Sequence, residues 1–272
     1  MLFNIFKKKN NIYLDNAAGT AVDKKVFNLM KPYLSEYFFN PGALYNQAFF
    51  VREKILNARK KIAESLSVRY QDIIFTDGGT EANNLAIRGV ISAWQQNNSN
   101  KKAHIVTSIT EHSSILETCR DLESKEKITV TYLAVDEQGL INLKELKEAI
   151  TAQTVLVSIS YVNGEIGVTQ DIKSIAKTIR HYRKHNQTLL PYFHSDAIQA
   201  VNYLDIHVPK LGVDLLTINA SKIYGPKKIA ALYKKTNITI DSIITGGNQE
   251  FGLRAGTENV PYIIGFAECI NI

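Results

Sequence analysis

Cysteine is nearly absent. The 272-residue chain carries only Cys119 and Cys269, too few and too far apart for a disulfide framework or a zinc cluster, and the count fits a reducing cytosol. Long hydrophobic runs are missing too. No apolar stretch approaches the roughly 18 residues that cross a bilayer, so no membrane partner is expected. Met1–Asn10 is partly apolar, but it carries Lys7-Lys8-Lys9 and has no small-residue cleavage site, which argues against a secretory leader. A basic face is lacking as well. The formal charge is +6, yet the other lysines are scattered and none interleave with aromatics, so nucleic acid is not an expected partner. There is no repeat, low-complexity tract or obvious linker; Gln95–Lys102 is only a polar loop. These absences together predict a soluble, cytoplasmic protein.

What is present can fill a core. With 45% hydrophobic residues, the chain can build one large domain, or one domain plus a fragment. Short β-branched runs are expected as strands at Ile12–Leu14, Ile73–Thr76, His104–Thr107, Thr129–Leu133, Val155–Ser160, Leu189–His194, Leu215–Ile218 and Ile229–Tyr233. Helical patterns lie between many of them. Ile55, Ile62 and Leu66 share one face, as do Ile172, Ile175, Ala176 and Ile179; Leu85, Val90 and Trp94 do so less regularly. Asn142 and Asp171 are expected to cap the helices that follow them. The alternation predicts an α/β fold, a mostly parallel central sheet with helices on both faces. In such sheets ligands sit at the carboxyl ends of the strands.

The chemically suggestive residues fall at those ends. Lys222 follows the apolar run Asp214–Ile218 and precedes a Gly-Pro turn. A low-dielectric setting lowers an amine's pKa, and a neutral amine attacks carbonyls to form a Schiff base. A lone strand-end lysine is more often simply solvated. Thr76-Asp77-Gly78-Gly79-Thr80-Glu81 links a strand to a helix; its glycines and the helix start suit a phosphate, with Thr80 adding a hydroxyl. An ordinary strand-to-helix turn explains the same run. His112 suits stacking or proton transfer, or a plain helix start. Asn163 offers a donor and acceptors, or makes an Asn-Gly turn. Asp196 ends an internal strand, where a carboxylate needs a partner such as a protonated heterocyclic nitrogen, or caps a short helix at Ala197. Each is weak alone. Together, at successive strand ends, they describe pyridoxal 5'-phosphate, whose ring serves as an electron sink that Asp196 strengthens by holding positive charge in it.

Longer matches carry a family resemblance. They run from Ile12-Tyr13-Leu14-Asp15-Asn16-Ala17-Ala18 through Asn40-Pro41-Gly42, Phe75–Gly89, Thr110-Glu111-His112, Val162–Gln170, His194–Gln199 and Lys222–Lys227. They end at Gly246-Gly247-Asn248-Gln249-Glu250 and Gly252–Asn259. The chain resembles the class V aminotransferase family, and within it the cysteine desulfurases that supply sulfur for iron–sulfur cluster assembly. The resemblance implies the fold type I of pyridoxal-phosphate-dependent transferases. It divides the chain into an N-terminal segment at 1–14, a cofactor-binding large domain at 15–258, and the start of a connector helix at 259–272. It implies that Lys222 carries the cofactor, Asp196 pairs with its ring nitrogen, Gln199 and Asn163 meet its ring-oxygen side, and His112 stacks and relays protons. Gly79, Thr80, Asn219 and Ser221 would hold the phosphate, and Thr257 would reach the phosphate of a second subunit, implying a homodimer. No metal ligand is implied. The implied substrate is L-cysteine or a related amino acid, turned into L-alanine and an enzyme-bound persulfide; the implied partner is an iron–sulfur scaffold or sulfur-acceptor protein.

Departures qualify the resemblance. Asn219 and Ser221 stand where the family usually has Ser and His, Asp77 brings a negative charge beside the phosphate turn, Tyr45 replaces a His and Phe251 an Arg. Weakened phosphate binding is the expectation. The family's C-terminal domain, with its nucleophilic cysteine and carboxylate-binding arginine, has no counterpart here, and neither Cys119 nor Cys269 is expected to replace that cysteine. The alternatives are a non-catalytic or partner-binding half-enzyme, another class V lyase or aminotransferase, or a piece of a longer reading frame cut at Ile272.

Overall fold

A computed structural model of the chain describes residues 12–270. The leader argument for Met1–Asn10, most of the 1–14 segment and the last two residues of the 259–272 connector lie outside the described residues. The strands are β1 (Ile73–Thr76), β2 (Ala103–Ser108), β3 (Ile128–Leu133), β4 (Thr154–Ser158), β5 (Tyr192–Asp196), β6 (Leu215–Asn219) and β7 (Ala230–Lys234). They form one sheet in the order β1-β7-β6-β5-β4-β2-β3. β7 runs antiparallel to both β1 and β6, and every other pairing is parallel. Strands of a parallel sheet are covered on both faces, and β2, β4 and β6 are accordingly buried at every residue. Edge strand β3 is buried only at Ile128 and Leu133.

Two expected strands are corrected. Ile12–Leu14 is not a strand, and Ile12 and Leu14 are 83% and 87% exposed; β-branching alone makes no strand without an edge to pair with. The segment from Asp15 to Thr20 instead crosses the carboxyl ends of the strands, where Thr20 donates its N–H to the Ser221 carbonyl (3.0 Å). The run expected at Leu189–His194 begins three residues later, at Tyr192, because Pro191 has no N–H to give a ladder.

The helices are α1 (Lys24–Met30), α2 (Pro32–Ser35), α3 (Asn46–Leu66), α4 (Gly79–Gln96), α5 (Ser113–Ser124), α6 (Leu143–Ala149), α7 (Ile172–His185), α8 (Val208–Leu211) and α9 (Val260–Cys269). Helices α4 and α5 cover one face, where Leu85, Val90, Ile115 and Cys119 join Ile105, Leu156 and Leu232. Helices α3, α7 and α9 cover the other, where Ile55, Ile62, Ile175, Ile179 and Phe266 join Val157, Phe193 and Ile218. Each such aliphatic or aromatic side chain contributes roughly 1.5–3 kcal/mol on burial. Both expected caps form: Asn142 accepts from Lys144 N–H at 2.8 Å and Asp171 from Ser174 N–H at 3.0 Å, each worth about 1 kcal/mol. Because β1, β2, β4, β5 and β6 point the same way, their last residues and the loops after them meet at one end of the sheet. The site is there.

Candidate active site

The turn after β1 is shaped by its glycines. Gly78 takes φ 130°, ψ 170°, a conformation a side chain would strain. A Cβ on Gly79 would fall 2.2 Å from Ile198 Cδ1, so glycine there lets the start of α4 approach the loop after β5. The first N–H groups of an α-helix have no intrahelical partner and carry partial positive charge, and α4 directs them, with the Thr80 hydroxyl, at the cavity. Asp77, from which repulsion of a phosphate is expected, has a cationic partner. Arg254 pairs with Asp77 Oδ1 at 3.0 Å and with Glu81 Oε1 at 2.9 Å, so one guanidinium is shared by two carboxylates and offsets the aspartate charge only in part.

Asp196, at the end of β5, is buried, and burial raises its carboxyl above the usual range. It accepts from Ile198 N–H (2.9 Å) and from Asn83 Nδ2 (2.7 Å). Capping the turn at Ala197 and presenting an acid are thus the work of one residue. Asn83 Nδ2 also donates to Ser114 Oγ (2.8 Å), which lies 2.8 Å from His112 Nδ1. Ser114 N–H donates to the same ring nitrogen at 3.1 Å, so Nδ1 is the acceptor and Nε2 carries the proton. His112 is therefore both the N-cap of α5 and a cavity-lining ring, joined to Asp196 through Asn83 and Ser114.

Glu111 escaped the sequence reading as a functional residue, as did Asn83, Ser114 and Ser160. Its Oε1 accepts from Ser160 N–H (2.7 Å) and its Oε2 from the Ser160 hydroxyl (2.5 Å). Burial pushes its carboxyl up to about 8. The native state thus keeps a proton that the unfolded chain releases near its ordinary value of 4.5. The associated stability is fully present below that value and is lost as pH rises towards about 8. Denaturant titrations at pH 5 and pH 8 are expected to show a loss of a few kcal/mol. In Glu111→Gln, which keeps the neutral shape, most of that slope disappears; an unchanged slope would refute the assignment. Asp196 adds a shift of the same sign.

Lys222 follows β6 in a tight turn closed by Ile223 N–H and Gly225 N–H on the Ala220 carbonyl (3.2 and 3.0 Å). Its Nζ donates to the carbonyls of Ala17 and Ala18, both at 2.7 Å, and burial lowers its pKa. Gln199 Nε2 reaches the same Ala17 carbonyl at 3.1 Å. Asn163 is the turn residue that an Asn-Gly pair suggests: its Oδ1 accepts from Glu165 and Ile166 N–H, while Nδ2 ties the loop to the Thr110 carbonyl at 2.7 Å. Asn219 is 8% exposed, and its Oδ1 has no partner.

One cavity of about 820 Å³ is lined by Gly79, Thr80, His112, Asn163, Asp196, Gln199, Asn219, Ser221 and Lys222, together with Glu111 and Ser160. Of the candidate residues only Thr257 is left out; it is exposed on the 249–256 side of the molecule. Tyr45 caps α3 at its start and Phe251 lies 5.2 Å from the Arg59 guanidinium, both away from the cavity. Cys119 and Cys269 are fully buried and burial pushes each thiol up to about 12, so neither reaches the cavity as a thiolate. The cavity residues fit pyridoxal 5'-phosphate: Asp196 is a buried carboxylate bonded only by neutral donors, and Asn219, in the same lining, has a buried polar atom without a partner among the described residues.

A mostly parallel sheet with an amine, a buried acid and a glycine-opened helix start at its strand ends defines a type I pyridoxal-phosphate-dependent transferase fold. The family model for aminotransferase class-V matches residues 12–272, and the chain belongs to that family. Cysteine desulfurase IscS of Dictyoglomus turgidum is 43% identical over 264 residues, which cover 97% of this chain and 64% of that relative. Cysteine desulfurase IscS of Methanosarcina thermophila is 41% identical over 269 residues, covering 99% and 64%. A solved structure of SspA in complex with cysteine matches with a TM-score of 0.88 at 38% identity, covering 96% of this chain and 72% of that one. The chain thus spans about 64% of the length of these curated relatives.

Proposed function

We propose that the chain is the cofactor-binding part of a pyridoxal-phosphate-dependent cysteine desulfurase. It would take L-cysteine to L-alanine and pass the sulfur to a thiol as a persulfide for iron–sulfur cluster assembly. The observation that carries this reading is the buried Asp196 carboxylate in the same cavity as the Lys222 amine and the α4 start. Bound there, pyridoxal 5'-phosphate supplies an electron sink for negative charge at an amino acid's α-carbon. Asp196 would hold the proton on the ring nitrogen, and the Asn83 bond keeps its carboxylate turned inward. Lys222 Nζ, poised on two carbonyls, would carry the cofactor's aldehyde carbon and move the α-proton. His112, with Nε2–H free for the cavity, would lie over the ring and relay protons. Gly79, Thr80, Asn219 and Ser221 would take the phosphate, and Gln199 and Asn163 the ring-oxygen side.

In the overall reaction the substrate C–S bond breaks and an S–S bond forms on the acceptor thiol. Both cysteines here are buried, so that thiol belongs to another segment or polypeptide. A homodimer, with Thr257 reaching the partner's phosphate, is supported by the exposed aromatic and aliphatic stretch around Leu34, Phe38 and Leu44, the kind of surface that a partner or further domain covers. A cytoplasmic setting and a scaffold or acceptor protein belong to the same reading. The second reading, a non-catalytic partner-binding half, rests on the absence of a usable thiol among the described residues. The deciding experiment is borohydride trapping of pyridoxal 5'-phosphate on the purified chain with peptide mass mapping, then alanine release from L-cysteine with an added thiol. An adduct on Lys222 with alanine release supports the first reading, an adduct without alanine the second, and no adduct on Lys222 sinks both cofactor roles.

A further inference from the structure

Lys228 holds a backbone conformation that its side chain does not favour. Its φ is 61°, in the left-handed region that glycine enters freely and other residues seldom do. It sits beside the α4 start. A cleft of about 320 Å³ shares Ala18, Gly79, Thr80, Asn219 and Ser221 with the main cavity and adds Asp77, Lys227 and Lys228. The one carboxylate lining that cleft, Asp77, is already paired with Arg254 at 3.0 Å. Lys227 and Lys228 thus line a cleft together with Gly79 and Thr80 at the start of α4, Asn219 and Ser221. Asn219 is 8% exposed and its side-chain oxygen has no partner among the described residues. Apart from Asp77, the charged residues of the cleft are both cations. The position next to the lysine that bears an imidazole in the resembled family is Ser221 here, which adds a hydroxyl but no charge.

We propose that Lys228, assisted by Lys227, is a positioning residue for a phosphate monoester at the start of α4, supplying the positive charge that position 221 does not. The strained backbone at 228 is then retained for the side chain it carries. This rests on pyridoxal 5'-phosphate being the occupant of the main cavity. On this reading Lys228 would offset the weakened phosphate binding expected from Asn219 and Ser221.

The test compares wild type, Lys228→Gly and Lys228→Arg, each titrated with pyridoxal 5'-phosphate, with pyridoxal and with inorganic phosphate, and each melted without ligand. Glycine suits φ 61°, so Lys228→Gly is expected to melt about 2 °C higher than wild type. Yet it should bind pyridoxal 5'-phosphate about tenfold more weakly and with a shallower salt dependence. Pyridoxal, which lacks the phosphate, should bind all three alike, and Lys228→Arg should restore most of the lost affinity. Equal affinity of wild type and Lys228→Gly for pyridoxal 5'-phosphate would overturn the proposal, as would an equal loss for pyridoxal. Phosphate binding that depends on Lys228 without a trapped adduct on Lys222 would sink the cofactor reading and leave the anion subsite standing. Binding of neither ligand by wild type overturns both.

Discussion

Lys222→Ala is expected to yield a chain that melts like wild type, traps no pyridoxyl group on borohydride treatment, and releases alanine at least ~10³-fold more slowly. Nζ meets only main-chain carbonyls, those of Ala17 and Ala18, so its removal leaves no buried charge behind. Stability should therefore move little. The chemistry should fail, because no other amine lies on the cavity wall next to Asp196; Lys227 and Lys228 line the cleft at the phosphate end. Lys222→Arg separates two explanations. A guanidinium keeps the charge but stays protonated, so if a neutral amine is the essential species, arginine fails as completely as alanine. Substantial activity in Lys222→Arg would show that the position supplies only charge.

Glu250→Ala should have the largest effect on the fold itself, about 3–5 kcal/mol. Its carboxylate takes both Arg59 guanidinium nitrogens at 2.6 Å and the Phe75 N–H at 2.8 Å, and both partners are nearly excluded from water. Arg59 also donates to the Ile73 carbonyl at 2.7 Å and lies 4.6 Å from the Phe75 ring. Without Glu250 the buried guanidinium loses its directly bonded carboxylate, leaving only the more distant Glu258 charge, and the β1 backbone loses an acceptor. The 249–252 turn, where Glu250 and Phe251 take φ of 49° and 61°, would lose its anchor, and Arg254 with it. Denaturant melts should show the loss, accompanied by weaker phosphate binding as Asp77 is freed. A loss below about 1 kcal/mol would mean that the pair is replaceable by solvent.

Much of this architecture was legible from residue pattern. β1 was read to the residue, because a short apolar run bounded by a polar turn has few other ways to be buried. The apolar stripes of α3 and α7 and the caps of α6 and α7 were equally plain. The reversal of β7 within a mostly parallel sheet was not. Nothing in the composition of Ala230–Lys234 distinguishes it from its parallel neighbours, and its reversal follows from the short connection after β6. Lys222, Asp196 and His112 stood out because each is a reactive type beside a strand end. Asn83, Glu111, Ser114 and Ser160 did not, since what brings them into the site network is a partner many residues away. Asn83 carried one faint signal, an amide amid the apolar positions Ala82, Leu85 and Ala86 of α4. Thr257 lies exposed and outside the cavity, and its assignment belongs to the proposed homodimer.

The Ala17 carbonyl accepts from Lys222 and Gln199 together, and the Ala18 carbonyl accepts from Lys222 alone. Both acceptors are peptide oxygens, which every amino acid provides. The amine is therefore read by the path of the chain and not by its spelling. Residues 17 and 18 can drift in identity while the grip persists, but one residue inserted or removed between them and Thr20 would carry both oxygens out of reach. In this stretch length is under stricter constraint than sequence.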